Sequence, residues 1–305
     1  MRKLFTLGVL LLLSVTALGP SQGQAFNSAT HIYIAERVFP FASDKINLYY
    51  GSIAPDLSSY VDDPGEWPTG FCDTHYKFIK LPYAWWNLTQ RAFAKGWQTH
   101  NEIWAADSYA HGTCYCFDNC VSFENCVQGD CSQYCEYEGY VPTQAEKLAD
   151  IPGFEILKTS PSGPELAHFA IEVAIDLLLV KYHNPSLGLK LLWAAKYRSQ
   201  GDFNLMVKTF VTDNEPNALT LEAAEYTFRG LVIDYATVLA LPDPLRMVAL
   251  GELGVRIAQG MGVTITPYQV REMLRVAMYL CQSSNYMGVI QSAIEGISTN
   301  PDLIR

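Results

Sequence analysis

The residues in this chain best suited to chemistry are its six histidines and a few carboxylates near them. The histidines are His31, His75, His100, His111, His168 and His183. His168 and Glu172 stand at i, i+4 in a strongly helical stretch, so they share a face one turn apart. An imidazole and a carboxylate placed that way can grip one zinc ion from the same side. Asp176, a turn further on, is placed to orient His168 or Glu172 by hydrogen bonding. His100, Asp107 and His111 fall at i, i+7 and i+11. On a continuous helix that is one stripe, shared with Trp97 and Trp104. Two imidazoles, a carboxylate and two indoles on one stripe suit a metal cluster walled by aromatics. The plainer reading is an amphipathic helix with buried polar residues.

Three further candidates lie upstream. Gly51-Ser52-Ile53-Ala54-Pro55-Asp56 places a carboxylate in a turn, and Asp73-Thr74-His75-Tyr76 places an imidazole soon after. An aspartate in a turn is more often a cap or turn former, so neither segment speaks alone. His31 lies five residues after Phe26, and Phe26 becomes the first residue if the preceding segment is removed as a leader. A free α-amino group is a metal ligand once deprotonated.

In order, the chain offers a near-N-terminal His, P-D, T-H, G-W-x-x-H, D-x3-H and H-x3-E. This order resembles the zinc-dependent phospholipase C superfamily, whose trinuclear zinc fold is shared with fungal single-strand-specific nucleases. The resemblance covers about Phe26 to Tyr182. It implies one zinc site made of Asp56, His75, His100 and Asp107. It implies a second of His111, His168 and Glu172. The third would be the Phe26 amino nitrogen and carbonyl oxygen with His31, bridged by Asp107. About three zinc ions per chain follow, in N- and O-rich sites suited to that metal. The implied chemistry is in-line attack of an activated water on phosphorus, with Asp56 helping to orient or deprotonate that water.

Two positions depart from the family pattern. Phe26 stands where the family usually has Trp, a change that backbone ligation survives. The spacing His100-x6-Asp107 is longer than the usual H-x3-D, and Trp104 occupies the i+4 position. Seven helical residues separate two Cα atoms by about 10.5 Å, so one ion shared by His100 and Asp107 requires a bend or a π-bulge. His183 fits no family position and reads as a surface or cap residue.

The elements that must carry these residues are helices. From Leu166 onward, five segments repeat apolar residues at three- and four-residue spacing: 166–182, 186–199, 219–241, 244–261 and 267–284. Thr266 and Gln269 form a capping box with Pro267 at the first helical position, and Asp243-Pro244 has the same form of start. Few runs alternate like strands. The expected class is all-α with a loop-rich first third, loops falling at Tyr60–Phe71 and from Cys114 to about Gly163.

The start of the chain has another character. Met1-Arg2-Lys3 precedes an apolar run from Leu4 to Gly19, then Pro20 and a small polar segment. This is a secretory signal peptide in form, expected to end at Ala25, and the run is shorter than a spanning helix needs. The expected organisation is a leader (1–25), a catalytic region (26–183) with a Cys-rich insertion (114–135), and a helical C-terminal region (184–305). Eight cysteines agree with export to the periplasm or outside, and six of them fall within Cys114–Cys135. They read as a disulfide-stapled insertion, the competing reading being a metal or iron–sulfur site. Cys72 and Cys281 are candidates to pair across the chain. Asn87-Leu88-Thr89 is a glycosylation acceptor in form.

Composition narrows the partners. Of 305 residues, 49% are apolar and 17% charged, which suits a packed core and excludes a disordered chain. A net charge of −10 disfavours a protein that grips nucleic acid by bulk charge. The expected function is a secreted zinc-dependent phosphodiester hydrolase acting on phospholipid head groups. Transient membrane-surface contact could involve Trp67, Phe71, Tyr83, Trp85 and Trp86. The alternatives are a single-strand nuclease or 3′-nucleotidase on the same site, and a secreted zinc-binding module without turnover.

Overall fold

Asn27 opens the first helix, its side chain accepting the Ser28 N–H at 2.7 Å, and α1 runs Ser28–Val38. The computed structural model describes residues 27–114, 135–211 and 216–303. The expected leader, Phe26 and residues 115–134 of the Cys-rich insertion lie outside the described residues. α2 (Lys45–Gly51) is capped by Asp44, whose carboxylate accepts the Asn47 N–H at 3.1 Å. A 3-10 turn with Pro55 near its start (Ala54–Tyr60) and a π-turn (Cys72–Tyr76) follow. α3 (Leu88–Gln98) is capped by Asn87, the would-be glycosylation acceptor, through the Gln90 N–H at 3.1 Å. α4 (Ala106–His111) leads into β1 (Gly112–Cys114), which pairs antiparallel with β2 (Cys135–Glu138) across the insertion.

The second half is helix upon helix. α5 (Tyr140–Ala149), α6 (Ile156–Thr159), α7 (Gly163–Tyr182), α8 (Leu187–Tyr197) and α9 (Gln200–Phe210) precede α10 (Ala218–Leu239). α11 (Asp243–Gly260), α12 (Pro267–Ser283) and α13 (Tyr286–Thr299) close the chain. The class is all-α, the short β1–β2 ladder notwithstanding. The five segments expected to be helical are helical, and the Thr266–Gln269 capping box forms. His183 caps the C-terminal end of α7.

The loop expected from Cys114 to Gly163 is corrected by α5 and α6. Val141, Ala145 and Leu148 form an apolar stripe at helical spacing and are all buried, which stabilises α5 despite its polar composition. α9 and α13 were not among the expected helices either.

α7 is buried along most of its length and forms the axis of the fold. α12, α5 and α1 pack on it, and one contiguous core runs from Ala29 to Leu303. The C-terminal helices therefore share the core of the site-bearing elements: α10 lies on the Ala54–Tyr60 turn, and α13 on α1 and α4. α2 and α3 meet backbone to backbone. A Cβ on Gly96 would stand 2.0 Å from the Leu48 carbonyl oxygen, and one on Gly51 2.1 Å from that of Phe93. Only glycine permits that approach.

Three other expectations change. Cys281 is a free, buried thiol in α12, so it does not pair with Cys72, which is itself disulfide-bonded. Trp67 and Phe71 are buried and leave the set of aromatics able to touch a membrane, whereas Trp85 and Trp86 are exposed. Trp97 belongs to the core, against Phe93 and Phe210, and Trp104 packs on Phe78. Among the described residues, no helix is long and apolar enough to cross a membrane.

Candidate metal centre

Four local devices bring the histidines together. His31 lies on the first turn of α1, close behind the Asn27 cap. The Ala54–Tyr60 turn, begun by Pro55, aims Asp56 inward. The π-turn lets Thr74 and His75 both turn into the core, where the Phe71 ring stacks on the His75 imidazole at 4.1 Å. His100 lies just past the end of α3 rather than within a longer helix.

That last point corrects the single stripe expected for His100, Asp107 and His111. α3 ends at Gln98 with Thr99 as its C-cap, and α4 begins at Ala106. Between them the Asn101 carboxamide accepts the N–H groups of Ile103 and Trp104 at 3.0 and 2.9 Å, holding a turn in place of the helix. The Ala106 N–H then reaches back to the Thr99 carbonyl at 3.2 Å. The turn closes the distance a straight helix would impose, and His100 Nε2 lies 3.1 Å from Asp107 Oδ2.

Three groups of donor atoms result: Asp56, His75 and His100; His31, His100 and Asp107; and His111, His168 and Glu172. In the first, His100 Nε2 is 3.1 Å from His75 Nε2 and 3.4 Å from Asp56 Oδ1, with His75 Nε2 3.5 Å from Asp56 Oδ1. In the second, His31 Nε2 is 3.5 Å from Asp107 Oδ1, and the His31 and His100 rings stack at 4.1 Å. In the third, His168 Nε2 is 3.0 Å from His111 Nε2 and 3.1 Å from Glu172 Oε1. Metal–ligand bonds of about 2.0–2.1 Å at tetrahedral angles put neighbouring ligand atoms roughly 3.3 Å apart. The observed spacings bracket that value.

The protonation pattern sharpens the fit. His75 Nδ1 donates to the Phe71 carbonyl at 3.2 Å beside Thr74 Oγ1 at 2.7 Å, and His100 Nδ1 donates to the Ser52 carbonyl at 2.9 Å. His111 Nδ1 donates to Glu102 Oε1 at 2.5 Å. With Nδ1 holding the proton, each Nε2 presents a lone pair to other acceptors. Asp107 accepts no hydrogen bond from the described residues at either oxygen, and neither do Asp56 Oδ1 and Glu172 Oε2. Buried acceptors that face one another without donors need a cation. The residues present fit a metal ion.

Burial raises the Asp107 carboxyl well above the usual range. Burial also works to lower the His100 pKa, but the Asp107 and Asp56 carboxylates override it and lift it to about 9. Burial works to raise the Asp56 carboxyl, but the His100 and His75 imidazoles, with Nε2 3.4 and 3.5 Å from its Oδ1, hold it low. Asp107 faces the first group with Oδ2 and His31 with Oδ1, which is the placement of a bridging carboxylate. His100 stands in two groups, but one Nε2 lone pair serves one ion. His31 and Asp107 then need a further donor, and Phe26, the residue the resemblance assigns there, lies outside the described residues.

Of the residues singled out in the sequence, His31, Asp56, His75, His100, Asp107, His111, His168 and Glu172 all enter these groups. Asp176 corrects its expected role. It does not meet His168 or Glu172; it accepts Thr30 N–H and O–H at 2.7 and 2.6 Å, Ala29 N–H at 3.1 Å and Tyr235 O–H at 2.9 Å. It thus fastens the start of α1 and, with it, His31. Glu102 was missed. It lies among the extra residues between His100 and Asp107, and a carboxylate in that lengthened spacing was the available signal. Its backbone N–H also donates to the His75 carbonyl at 3.0 Å, tying the turn to the π-turn.

Access is uneven. His111 and His168 are 17% and 19% exposed at their side chains, whereas those of His31, His75, His100 and Asp107 are sealed. The opening of the centre is therefore on the His111–His168 side, next to β1. No family profile, curated protein or solved structure matches this chain. Metal-binding capacity rests on the geometry itself.

Proposed function

We propose that this protein is an exported, zinc-dependent phosphodiester hydrolase of the phospholipase C type. The observation that carries the reading is the convergence of lone-pair and anionic atoms from eight residues, with Asp107 facing two groups at once. Zinc held there would supply Lewis acidity toward a phosphoryl oxygen and a water whose pKa is drawn down toward ~7. The chain's own residues do the rest. Asp56, one of the first group, would help orient or deprotonate the attacking water. Ser52, Phe71 and Glu102 hold the three imidazoles in the metal-binding tautomer. The sealed inner side keeps bulk water away, and substrate enters beside His111 and His168.

The proposed substrate is a phospholipid head group, supported by the acidic balance of the chain, which disfavours a nucleic-acid polyanion. A nucleotide phosphodiester would use the same centre, and a zinc-binding module without turnover would keep the centre alone. Two measurements on one preparation test the reading: metal per chain by elemental mass spectrometry, and hydrolysis of phosphatidylcholine, single-stranded DNA and a simple phosphodiester. The expected result is bound zinc with cleavage of the lipid. Nucleotide release in its place moves the substrate, bound zinc with no turnover moves the class, and no bound metal overturns the reading.

A further inference from the structure

Away from the metal centre, the C-terminal end of α1 and the N-terminal half of α3 border a groove of about 460 Å³. Its lining is largely apolar (Phe39, Phe41, Leu88 and Leu303 among others), and its charged residues are two cations, Arg91 and Lys95, one turn apart on α3. Neither forms an ion pair or a side-chain hydrogen bond with any described residue. Lys95 lies over the Phe39 ring, its Nζ 5.0 Å from the centroid. Like charges at i, i+4 destabilise a helix, and Arg91 in addition sits near the positive end of the α3 dipole. Burial and Arg91 together depress the Lys95 pKa. In a chain whose acids outnumber its bases 31 to 21, two adjacent cations without carboxylates call for an anion from outside.

The rim of the same groove is apolar and unusually exposed. Phe41 is 96% exposed, Leu88 53%, and the neighbouring Trp85 and Trp86 72% and 70%. The Phe41 loop is latched, because Lys45 Nζ donates to the Phe39 and Pro40 carbonyls at 2.8 Å each. Phe41 is thus held outward in advance, so inserting it costs little ordering.

We propose that this face docks on an anionic lipid surface, with Phe41, Leu88, Trp85 and Trp86 entering the head-group boundary and Arg91 and Lys95 pairing with lipid anions. Indole rings favour that boundary, and basic residues beside it gain from anionic lipid. A second copy of the chain fits less well, since a self-complementary contact would bring Arg91 and Lys95 against their own copies. The face lies at the far ends of α1 and α3 from His31 and His100, so docking and chemistry are separable. The inference extends the phospholipid reading, yet it uses none of the metal-binding residues.

The test is flotation of the full chain with vesicles of phosphatidylcholine alone and of phosphatidylcholine mixed with phosphatidylserine, alongside tryptophan emission. The expected result is preferential binding to the anionic vesicles, a blue shift, and weakening with salt. Arg91→Glu/Lys95→Glu should lose about tenfold or more of that binding. Trp85→Ala/Trp86→Ala should lose binding and blue shift together, and Tyr226→Ser, exposed elsewhere, should change nothing. Equal binding to both vesicles, no binding, or unaffected groove variants overturn the proposal. A concentration-dependent dimer abolished by Phe41→Ser replaces the lipid with a second copy. Flotation reads no hydrolysis, so a failure here is distinct from a failure of the metal-hydrolase reading.

Discussion

Imidazole nitrogens that face each other at about 3 Å, as His111 does His168, repel unless a proton or a metal ion lies between them. Glu172→Gln weakens that attraction while keeping the side chain's shape. The expected outcome is loss of one metal ion per chain and most activity, read by elemental mass spectrometry and turnover. Full activity with unchanged metal content sinks the site assignment. Glu102→Gln should reach the same ion indirectly, by weakening the carboxylate that orients His111. Metal affinity at that group should fall roughly 10–100-fold with the other ions retained, as titration calorimetry would resolve. The ligands themselves were legible because their spacing and residue types survive in one dimension. Glu102 was not, because its partner lies nine residues on across a turn. A third prediction concerns Asp202, whose buried carboxylate accepts no hydrogen bond from the described residues and whose pKa burial raises to about 8. The unfolded carboxyl ionises near ~3.9, so the native state holds the extra proton between that pH and about 8. Stability then falls as pH rises through that window. Asp202→Asn should flatten the fall, leaving the variant a few degrees more heat-resistant than the parent at pH 8, with the advantage gone at pH 4. Thermal melts across pH check it, and parallel curves refute it.

At the scale of elements, two contacts position the inner ligands. Asp176 receives four hydrogen bonds, three of them from the first turn of α1. Asp176→Ala leaves those buried donors without an acceptor and should cost about 2–4 kcal/mol, measured by urea unfolding. Because His31 rides on that turn, metal content should fall as well. Gly96→Ala acts through the α2–α3 contact, where the added methyl meets the Leu48 carbonyl and must push the helices apart. It should lower the melting temperature and displace His100, four residues on. The long helices were legible because their apolar periods run for three turns or more. α9 and α5 were not: both span about three turns or fewer, and Phe203, Met206 and Phe210 hold α9 only once the core exists to receive them.

For the molecule as a whole, the final helix is not an appendage. α13 covers α1 and α4, two of the elements that carry ligands, and the Gly296 backbone lies close against the Tyr109 hydroxyl of α4. Ending the chain at residue 285 would uncover the partners of Ile290, Ile294 and Ile297, all buried. Such a truncation should lose both cooperative unfolding and metal retention, and a truncated chain that keeps its metal would overturn that view. Little in the sequence pointed to this, since no spacing rule links residue 290 to residue 31; the dependence exists only once both helices share one core.

The uneven sealing of the centre also sets a clock. An ion held by the inner groups would sit behind sealed side chains, while one held by His111, His168 and Glu172 would have an open side. A chelator should therefore remove metal in two phases, one prompt and one as slow as local unfolding of the surrounding helices. By the same logic the inner groups would take up metal during folding, so metal supply at that moment would fix how many molecules are ever complete.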